Sequence, residues 1–386
     1  MKCLKTTHCM PLDVILEILV WLPAKSALRF KCVCKEWYNL INTPLFAKLQ
    51  LNKSLKPDSR HNRILLCNAN FSISIVDDLY DPLKWIQLNW PEDTVTGEDI
   101  IGIVGSCNGL VCFEVVIKEN WPNDTTRFYY KVRCFLICNP TTRTFKLILP
   151  CSEMKLTNDL ISNGFGYDSE HDDYKIVGTR SYWRDDDGDR HVFIYSLKTD
   201  LWSSPTPLNL VSTERRCWTI INSGAILVND MLHYLLSFVT QGPTNEYKIA
   251  RFDIVSEKWR DDLSLPEVNG YVQFGNLDGR LNLHVGESSE IWKMEEDGSW
   301  KKMFRLPQDL RGRYPIAHSG SHSSLLQHYQ SDRTELFWYD QRDKKRIPFK
   351  PEPLQRYCRS VILCIASLVT IPGSPLTKLQ QVDDGV

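Results

Sequence analysis

Thirteen cysteines and nine histidines make metal chemistry the first possibility to weigh in this chain of 386 residues. The closest cysteine pairs are Cys32 with Cys34, Cys107 with Cys112 and Cys134 with Cys138. None has the Cys-x-x-Cys spacing that lets two thiolates grip one zinc ion from a single turn. They read as small apolar core residues. The run Asp185-Asp186-Asp187-Gly188-Asp189 has the acidic density of a calcium loop. With its glycine at position six, Trp183 falls at position one and Ile194 at position twelve, where a bidentate Glu is needed. That loop fails, and a solvated hairpin tip between Tyr182 and His191 is the plain reading. There is no glycine-rich phosphate loop and no Gly-x-Ser-x-Gly elbow, and nothing places a Ser-His-Asp triad. No catalytic residue, metal or cofactor is expected. Recognition chemistry is better represented. Trp121 lies in Glu119–Asp124. Trp183 precedes Asp185, Asp186 and Asp187. Arg215 and Arg216 precede Trp218. A tryptophan beside charge, in an irregular loop, suits an interface anchor inside a polar rim. A solvated surface is the other reading of the same segments.

The elements that would carry these loops follow from composition and pattern. Hydrophobic residues make up 42% of the chain, enough for a large core, and the length suits about two domains. Aromatics are abundant, which favours strands and interfaces. The net charge of −1 leaves no global field for nucleic acid, so no nucleic-acid partner is expected. An odd, scattered set of cysteines suits reduced thiols, hence the cytoplasm, with the nucleus as a second compartment. The apolar stretch Met10 to Leu22 contains Asp13 and Glu17, which a signal core tolerates poorly. Val361 to Ile371 is about half the ~20 residues that span a bilayer and suits a buried strand pair. No membrane partner is expected.

The first fifty residues have helical periodicity. Val14, Ile15, Ile18, Leu19 and Leu22 recur at helical spacing after Pro11, and Pro23 stops that helix. Ser26 can cap a second helix carrying Ala27, Leu28 and Phe30. A third begins near Cys34, with Trp37, Leu40 and Ile41 on one face, and Pro44 ends it. Three helices in about 40 residues bury too little surface to be comfortable alone. Such a unit should borrow apolar area from a partner, and Trp21, beside the helix break, strengthens that expectation.

The segment Pro11 to Ser26, with Leu22-Pro23-Ala24-Lys25-Ser26, resembles the F-box motif. The likeness continues through Arg29-Phe30 and Cys34-Lys35-Glu36-Trp37 to Leu40-Ile41. Met10 and Ala27 stand where the family usually has Leu. The resemblance implies docking on a Skp-type adaptor, and through it on cullin and RING subunits. Pro11, Leu12, Ile15, Leu16, Leu22, Pro23 and Leu28 are the expected contacts. A helical hairpin packing only on its own C-terminal domain is the alternative.

Beyond a polar stretch the pattern changes to short strands with a repeated unit: an apolar strand, a polar turn, an aromatic, then Pro. It runs from Phe135 to Phe145, Val192 to Trp202, Ile249 to Trp259, Ile291 to Trp300 and, less completely, Leu336 to Asp340. A faint copy ends at Trp85. Each copy reads as a hairpin whose return strand packs an aromatic into the core. Anchors at Cys138, Tyr195, Phe252, Trp292 and Tyr339 are about 57, 57, 40 and 47 residues apart, in the range of a four-stranded blade. The expected architecture is a small three-helix domain followed by an all-β, propeller-like domain of about six antiparallel blades. Val361 to Ile371 could close the ring against Ile64-Leu65-Leu66, and an open stack of sheets is the alternative. Expected boundaries are 8–50 for the helical domain, 51–62 for a linker, 63–372 for the β domain and 373–386 for a polar tail. Phe145, Trp202, Trp259 and Trp300 are expected in blade cores.

The stretches Gly105 to Val111, Cys138 to Arg143, Gly164 to Asp168 and Asp173 to Val177 resemble the plant F-box-associated domain. Finer marks, Leu22 to Ser26 and Tyr195 to Trp202, are similar to those of S-locus and S-haplotype-specific F-box proteins. The resemblance implies a non-catalytic substrate receptor of a Skp–cullin–F-box ubiquitin ligase. At its finest it implies one that recognises non-self pistil S-ribonucleases in self-incompatibility. Acidic segments such as Asp185 to Asp187 and His171-Asp172-Asp173 would suit a basic ribonuclease. The alternatives are a small-ligand or sugar-binding propeller protein or enzyme unrelated to ubiquitination, and a free scaffold that uses its helices for self-packing.

Overall fold

The computed structural model describes residues 10–56, 62–68, 73–77, 85–88, 100–120, 129–152, 161–180, 191–204, 206–208, 218–220, 224–238, 246–268, 270–319, 323–329, 334–351 and 358–374. Its N-terminal part holds four helices: α1 (Leu12–Leu19), α2 (Ala24–Phe30), α3 (Lys35–Ile41) and α4 (Pro44–Ser54). The expectation of three helices is corrected at Pro44. Proline ends a helix that would run through it, but it is also well suited to a first helical turn, where its missing N–H has no partner to lose. Thr43 caps that turn by accepting from Phe46 N–H at 3.1 Å. Proline also shifts the second cap. Pro23 occupies the flanking position of α2, so Ser26 lies inside the helix rather than at its start. Cys34 caps α3, its Sγ accepting from Trp37 N–H at 3.5 Å. Helix α4 continues past the expected start of the linker, with Leu51 and Ser54 buried.

The rest of the described chain is a six-bladed ring of antiparallel sheets. Blade 1 contains β1 (Asn62–Asn68), β2 (Ile73–Val76) and β3 (Trp85–Leu88); blade 2 contains β4 (Ile100–Cys107), β5 (Leu110–Asn120), β6 (Tyr129–Asn139) and β7 (Thr144–Ile148). Blade 3 has β8 (Ile161–Asp168), β9 (Asp173–Arg180) and β10 (His191–Ser196), edged by β11 (Leu201–Trp202) and β12 (Thr206–Pro207). In blade 4, β13 (Trp218–Ile220) and β14 (Ile226–Val228) share one side of β15 (Met231–Phe238), followed by β16 (Glu246–Asp253) and β17 (Lys258–Ser264). Blade 5 comprises β18 (Val272–Leu277), β19 (Arg280–Val285), β20 (Glu290–Met294) and β21 (Trp300–Arg305). Blade 6 comprises β22 (Tyr314–Ser319), β23 (Ser323–Tyr329), β24 (Thr334–Asp340) and β25 (Lys345–Pro348).

Closure comes from the far end of the chain. Strand β26 (Cys358–Ile365) joins blade 1 as its innermost strand, pairing Ile64 with Leu363, Leu65 with Ile362 and Leu66 with Val361. Inner strands then touch around the ring in the order β26, β4, β8, β14, β18, β22 and back to β26. Only the first half of Val361 to Ile371 is sheet. The expected strand pair is one strand followed by an extended segment.

Strand faces alternate with a period of two, and here both faces are buried between blades. Ile64 and Leu66 pack toward blade 6, and Leu65 and Cys67 toward blade 2. This is why the strands read as continuous apolar runs. The repeated unit seen in the sequence is the outer hairpin of each blade. Cys138 pairs with Phe145, Tyr195 with Trp202, Phe252 with Trp259, and Val76 with Trp85. Its turn is built locally. Asn139, Asp253 and Asp340 each accept two backbone N–H groups from the next residues through one side-chain oxygen. The last turn residue takes the left-handed conformation at Arg143, Asp200, Glu257 and Lys344. Phe145, Trp202, Trp259 and Trp300 pack in or against blade cores. Pro207 and Pro348 sit in outermost strands, where an absent donor costs no ladder bond.

Candidate functional site

Helix α1 is apolar on two sides. Ile15, Leu16 and Leu19 face a core completed by Ala24, Ala27, Ile41 and Phe46. Met10, Val14, Ile18 and Trp21, spaced four, four and three apart, lie on the opposite side and are 50%, 45%, 51% and 59% exposed. In the sequence Val14 and Ile18 share one helical spacing with Ile15, Leu19 and Leu22; the structure separates them into two stripes. Of the fifteen large apolar residues exposed among the described residues, nine fall between Met10 and Leu55, the others being Leu12, Val33, Tyr38, Leu45 and Leu55. A helix with apolar stripes on two sides buries one against its own core and leaves the other as a surface for a partner to cover. Trp21 is partly screened by the ammonium groups of Lys53 and Lys56, 4.0 and 5.5 Å from its ring centroid.

The expected adaptor contacts divide by depth. Pro11, Leu12 and Pro23 are exposed, whereas Ile15, Leu16, Leu22 and Leu28 are half-buried and pack against the helical core. Phe30 and Trp37 meet edge-to-face, with centroids 5.7 Å apart. Glu36 sits in the first turn of α3, and backbone N–H donation there holds its carboxyl below the usual carboxylate range.

The helices rest on one rim of the ring. Lys25 pairs with Asp77 at the end of β2, and Arg63 Nε lies 3.1 Å from the same carboxylate. Lys48 of α4 lies 3.8 Å from Asp172 in the β8–β9 turn. That turn is the acidic His171-Asp172-Asp173 segment singled out in the sequence. Asp173 is buried and accepts from Ser196 Oγ at 2.6 Å and Lys198 N–H at 2.8 Å, while Asp172 accepts from Tyr167. Nearby, Asp168 is fully buried. Burial opposes its charge, but Lys175 and His171 donate to it and hold its carboxyl below the usual value. Lys175 also reaches Glu257 of blade 4 at 2.8 Å, so the cluster ties two blades together.

The loop candidates fall mostly outside the described residues: Trp121, Trp183, Asp185, Asp186, Asp187, Arg215 and Arg216. Trp218 is the first residue of β13. The strand ends that bracket these segments are described. β5 leaves at Asn120 and β6 returns at Tyr129; β9 leaves at Arg180 and β10 returns at His191. With Trp218, these ends all lie on the rim away from the helices, because antiparallel alternation puts the β4–β5, β6–β7 and β8–β9 turns on the helix side.

Ser324 Oγ is 2.8 Å from His318 Nδ1, but Ser324 is fully buried and also accepts from Gln341, which suits packing rather than attack on a substrate. Burial pushes the imidazoles of His233 and His284 down to about 4. Burial pushes the thiol of Cys364 up to about 11 and that of Cys107 to about 12. Among the described residues, no three His, Cys, Asp or Glu gather to hold a metal, and no helix is long and apolar enough to cross a membrane.

Comparison with known proteins gives these features a family. The F-box domain family matches residues 8–49, and the F-box associated beta propeller domain family matches residues 63–348. The F-box/kelch-repeat protein At3g23880 of Arabidopsis thaliana is 28% identical over 325 residues, covering 78% of this chain and 80% of that protein. F-box protein CPR1 of the same plant is 27% identical over 366 residues, covering 87% and 83%. Among solved structures, TolB from Acinetobacter baumannii aligns over 83% of this chain and 72% of that one at 12% identity, with a TM-score of 0.44. The chain belongs to the F-box proteins that carry an F-box associated beta propeller domain.

Proposed function

We propose that this chain is the substrate-recognition subunit of a Skp–cullin–F-box ubiquitin ligase, a receptor that performs no bond chemistry itself. The observation that carries the reading is the outward apolar stripe of α1 with Trp21, on a four-helix unit too small to leave such a surface uncovered without cost. A Skp-type adaptor covers that stripe, and cullin and RING subunits follow through the adaptor. The contacts are Pro11, Leu12 and Pro23 at the surface, with Ile15, Leu16, Leu22 and Leu28 behind them, and Trp21 beside them. The ring raises the effective concentration of a target near the ubiquitin-loaded enzyme. Target contacts are assigned to the segments around Trp121, Trp183 to Asp187 and Arg215 to Trp218. Their bracketing strands open on the rim away from the adaptor, which leaves both partners room.

The finer reading, a pollen receptor for pistil S-ribonucleases, rests on the resemblance of Leu22 to Ser26 and Tyr195 to Trp202. The acidic turn at His171 to Asp173 does not support it, because Asp173 is engaged by Ser196 and Lys198 at the end of β10, and Asp172 by Tyr167 and Lys48.

Co-expression with a plant Skp-type adaptor tests the receptor reading. The intact chain should co-purify with it, and Leu12→Asp, at a residue 54% exposed, should abolish the complex without changing the melting curve. A folded wild-type chain that leaves the adaptor unbound would overturn it.

A further inference from the structure

Beyond β26 the chain continues as Ala366 to Ile371, an extended segment outside every sheet. Its side chains alternate between two bodies. Ala366 and Leu368 enter the helical core beside Leu19, Ala24, Ala27 and Phe46. Val369 and Ile371 enter the core between blades 2 and 3. Ser367, between them, is fully buried. The ring also holds the backbone of this segment. Ser367 N–H donates to Thr141 Oγ1 at 3.3 Å, and Asn139 Nδ2 donates to the carbonyls of Ser367 at 3.1 Å and Val369 at 2.8 Å. Lys146 Nζ donates to Pro372 O at 3.1 Å. The fit is close: a Cβ at Gly109 would stand 2.6 Å from Ser367 Cβ and 2.8 Å from Ile365 O.

Every other buried member of the helical core comes from the helices or their turns. The ion pairs Lys25–Asp77 and Lys48–Asp172 are partly or largely exposed, and such pairs contribute little on their own. Among the described residues, Ala366 and Leu368 are the two buried side chains that the ring end of the chain adds to the helical core.

We propose that Ala366 to Ile371 is a latch that holds the F-box helices and the ring as one body, fixing the offset between the docking surface and the far rim. The same C-terminal stretch closes the ring through β26, so ring closure and helix placement are coupled. Only the consequence for presenting a target rests on the receptor reading; the latch itself does not.

The test compares the full chain with its Leu368→Asp variant by hydrogen exchange and small-angle X-ray scattering. The variant should show roughly tenfold or faster exchange throughout α1–α4 and a larger radius of gyration. Amides of the β1–β26 ladder should keep their protection. A chain ended after Ile365, set against one ended after Ser374, gives the same reading if Leu368→Asp does not fold. Unchanged helix exchange with unchanged scattering would overturn the latch. So would equal acceleration across all six blades, because the segment would then be ring core rather than a tie. Adaptor capture by the wild type is scored separately, since its failure removes the receptor reading and leaves the latch intact.

Discussion

Replacing Trp21 with alanine separates an interface residue from a structural one. Trp21 is 59% exposed. A tryptophan can bury up to about 250 Å2, so roughly 150 Å2 is open to a partner. Full cover at ~25 cal/mol per Å2 would be worth about 3.7 kcal/mol, and half cover about 2 kcal/mol. The smaller figure predicts a loss of roughly 20-fold in adaptor affinity, the larger several hundredfold. Little of the side chain supports the fold, so the Tm should move by no more than about 2 °C. Leu201→Ala is the control, because Leu201 is 66% exposed on an outer strand of the ring and not on α1. The assay is titration calorimetry of each purified variant with a Skp-type adaptor. Equal affinities for Trp21→Ala, Leu201→Ala and wild type would refute the assignment of this face, whatever the family. A drop in Tm matching the loss of binding would refute the argument from exposure.

Three further outcomes follow from the ring. Gly109→Ala should destabilise by about 2–4 kcal/mol in urea, since φ is +83° and the new Cβ crowds Ile365 O; Gly279→Ala, at φ +76° with open space, should cost only about 1 kcal/mol. Equal costs would show that the segment after β26 does not press on the β4–β5 turn. Asp253 combines burial, which opposes its charge, with donation from Ser256 and Val255 N–H and from Arg260, and the donors win, setting its pKa to about 2. A depressed carboxylate contributes stability above its unfolded value near 4 and loses it as pH falls through the folded value, so Asp253→Ala should cost about 2 kcal/mol at pH 7. That gap should shrink between about pH 4 and pH 2, and a pH-independent gap would contradict the linkage. A chain ended after Lys350 lacks β26, which forms the inner edge of blade 1 and contributes to the cores on both its faces. It should lose the cooperative melting transition, and a Tm equal to that of the full chain would count against closure by this strand.

The head and the outer hairpins were legible in the sequence because their determinants are local. Pro11, Pro23 and the apolar spacing mark two helices. The run of strand, Asn or Asp, turn and aromatic marks a hairpin, since one side chain caps two N–H groups within three residues. Pro44 was ambiguous for the same reason: proline suits both the residue after one helix and the first turn of the next, and only Thr43 and the burial of Phe46 and Leu51 decide between them. The inner strands were harder to read. Blade 4 divides its inner position between β13 and β14, and a three-residue strand carries too few side chains to show a period.

Sequence alone determined the two-part composition, the helical F-box motif and about six hairpin units, because periodicity, turn chemistry and motif spacing act over a few residues; closure into a ring was left to the tertiary structure. Tertiary structure decided which stripe of α1 faces inward, since Met10, Val14, Ile18 and Trp21 differ from Ile15, Leu16 and Leu19 only in where the other helices sit. It also decided that the apolar stretch from Val361 to Ile371 is half strand and half latch. Ala366 and Leu368 meet partners more than three hundred residues earlier in the chain, and no local pattern encodes a contact at that separation.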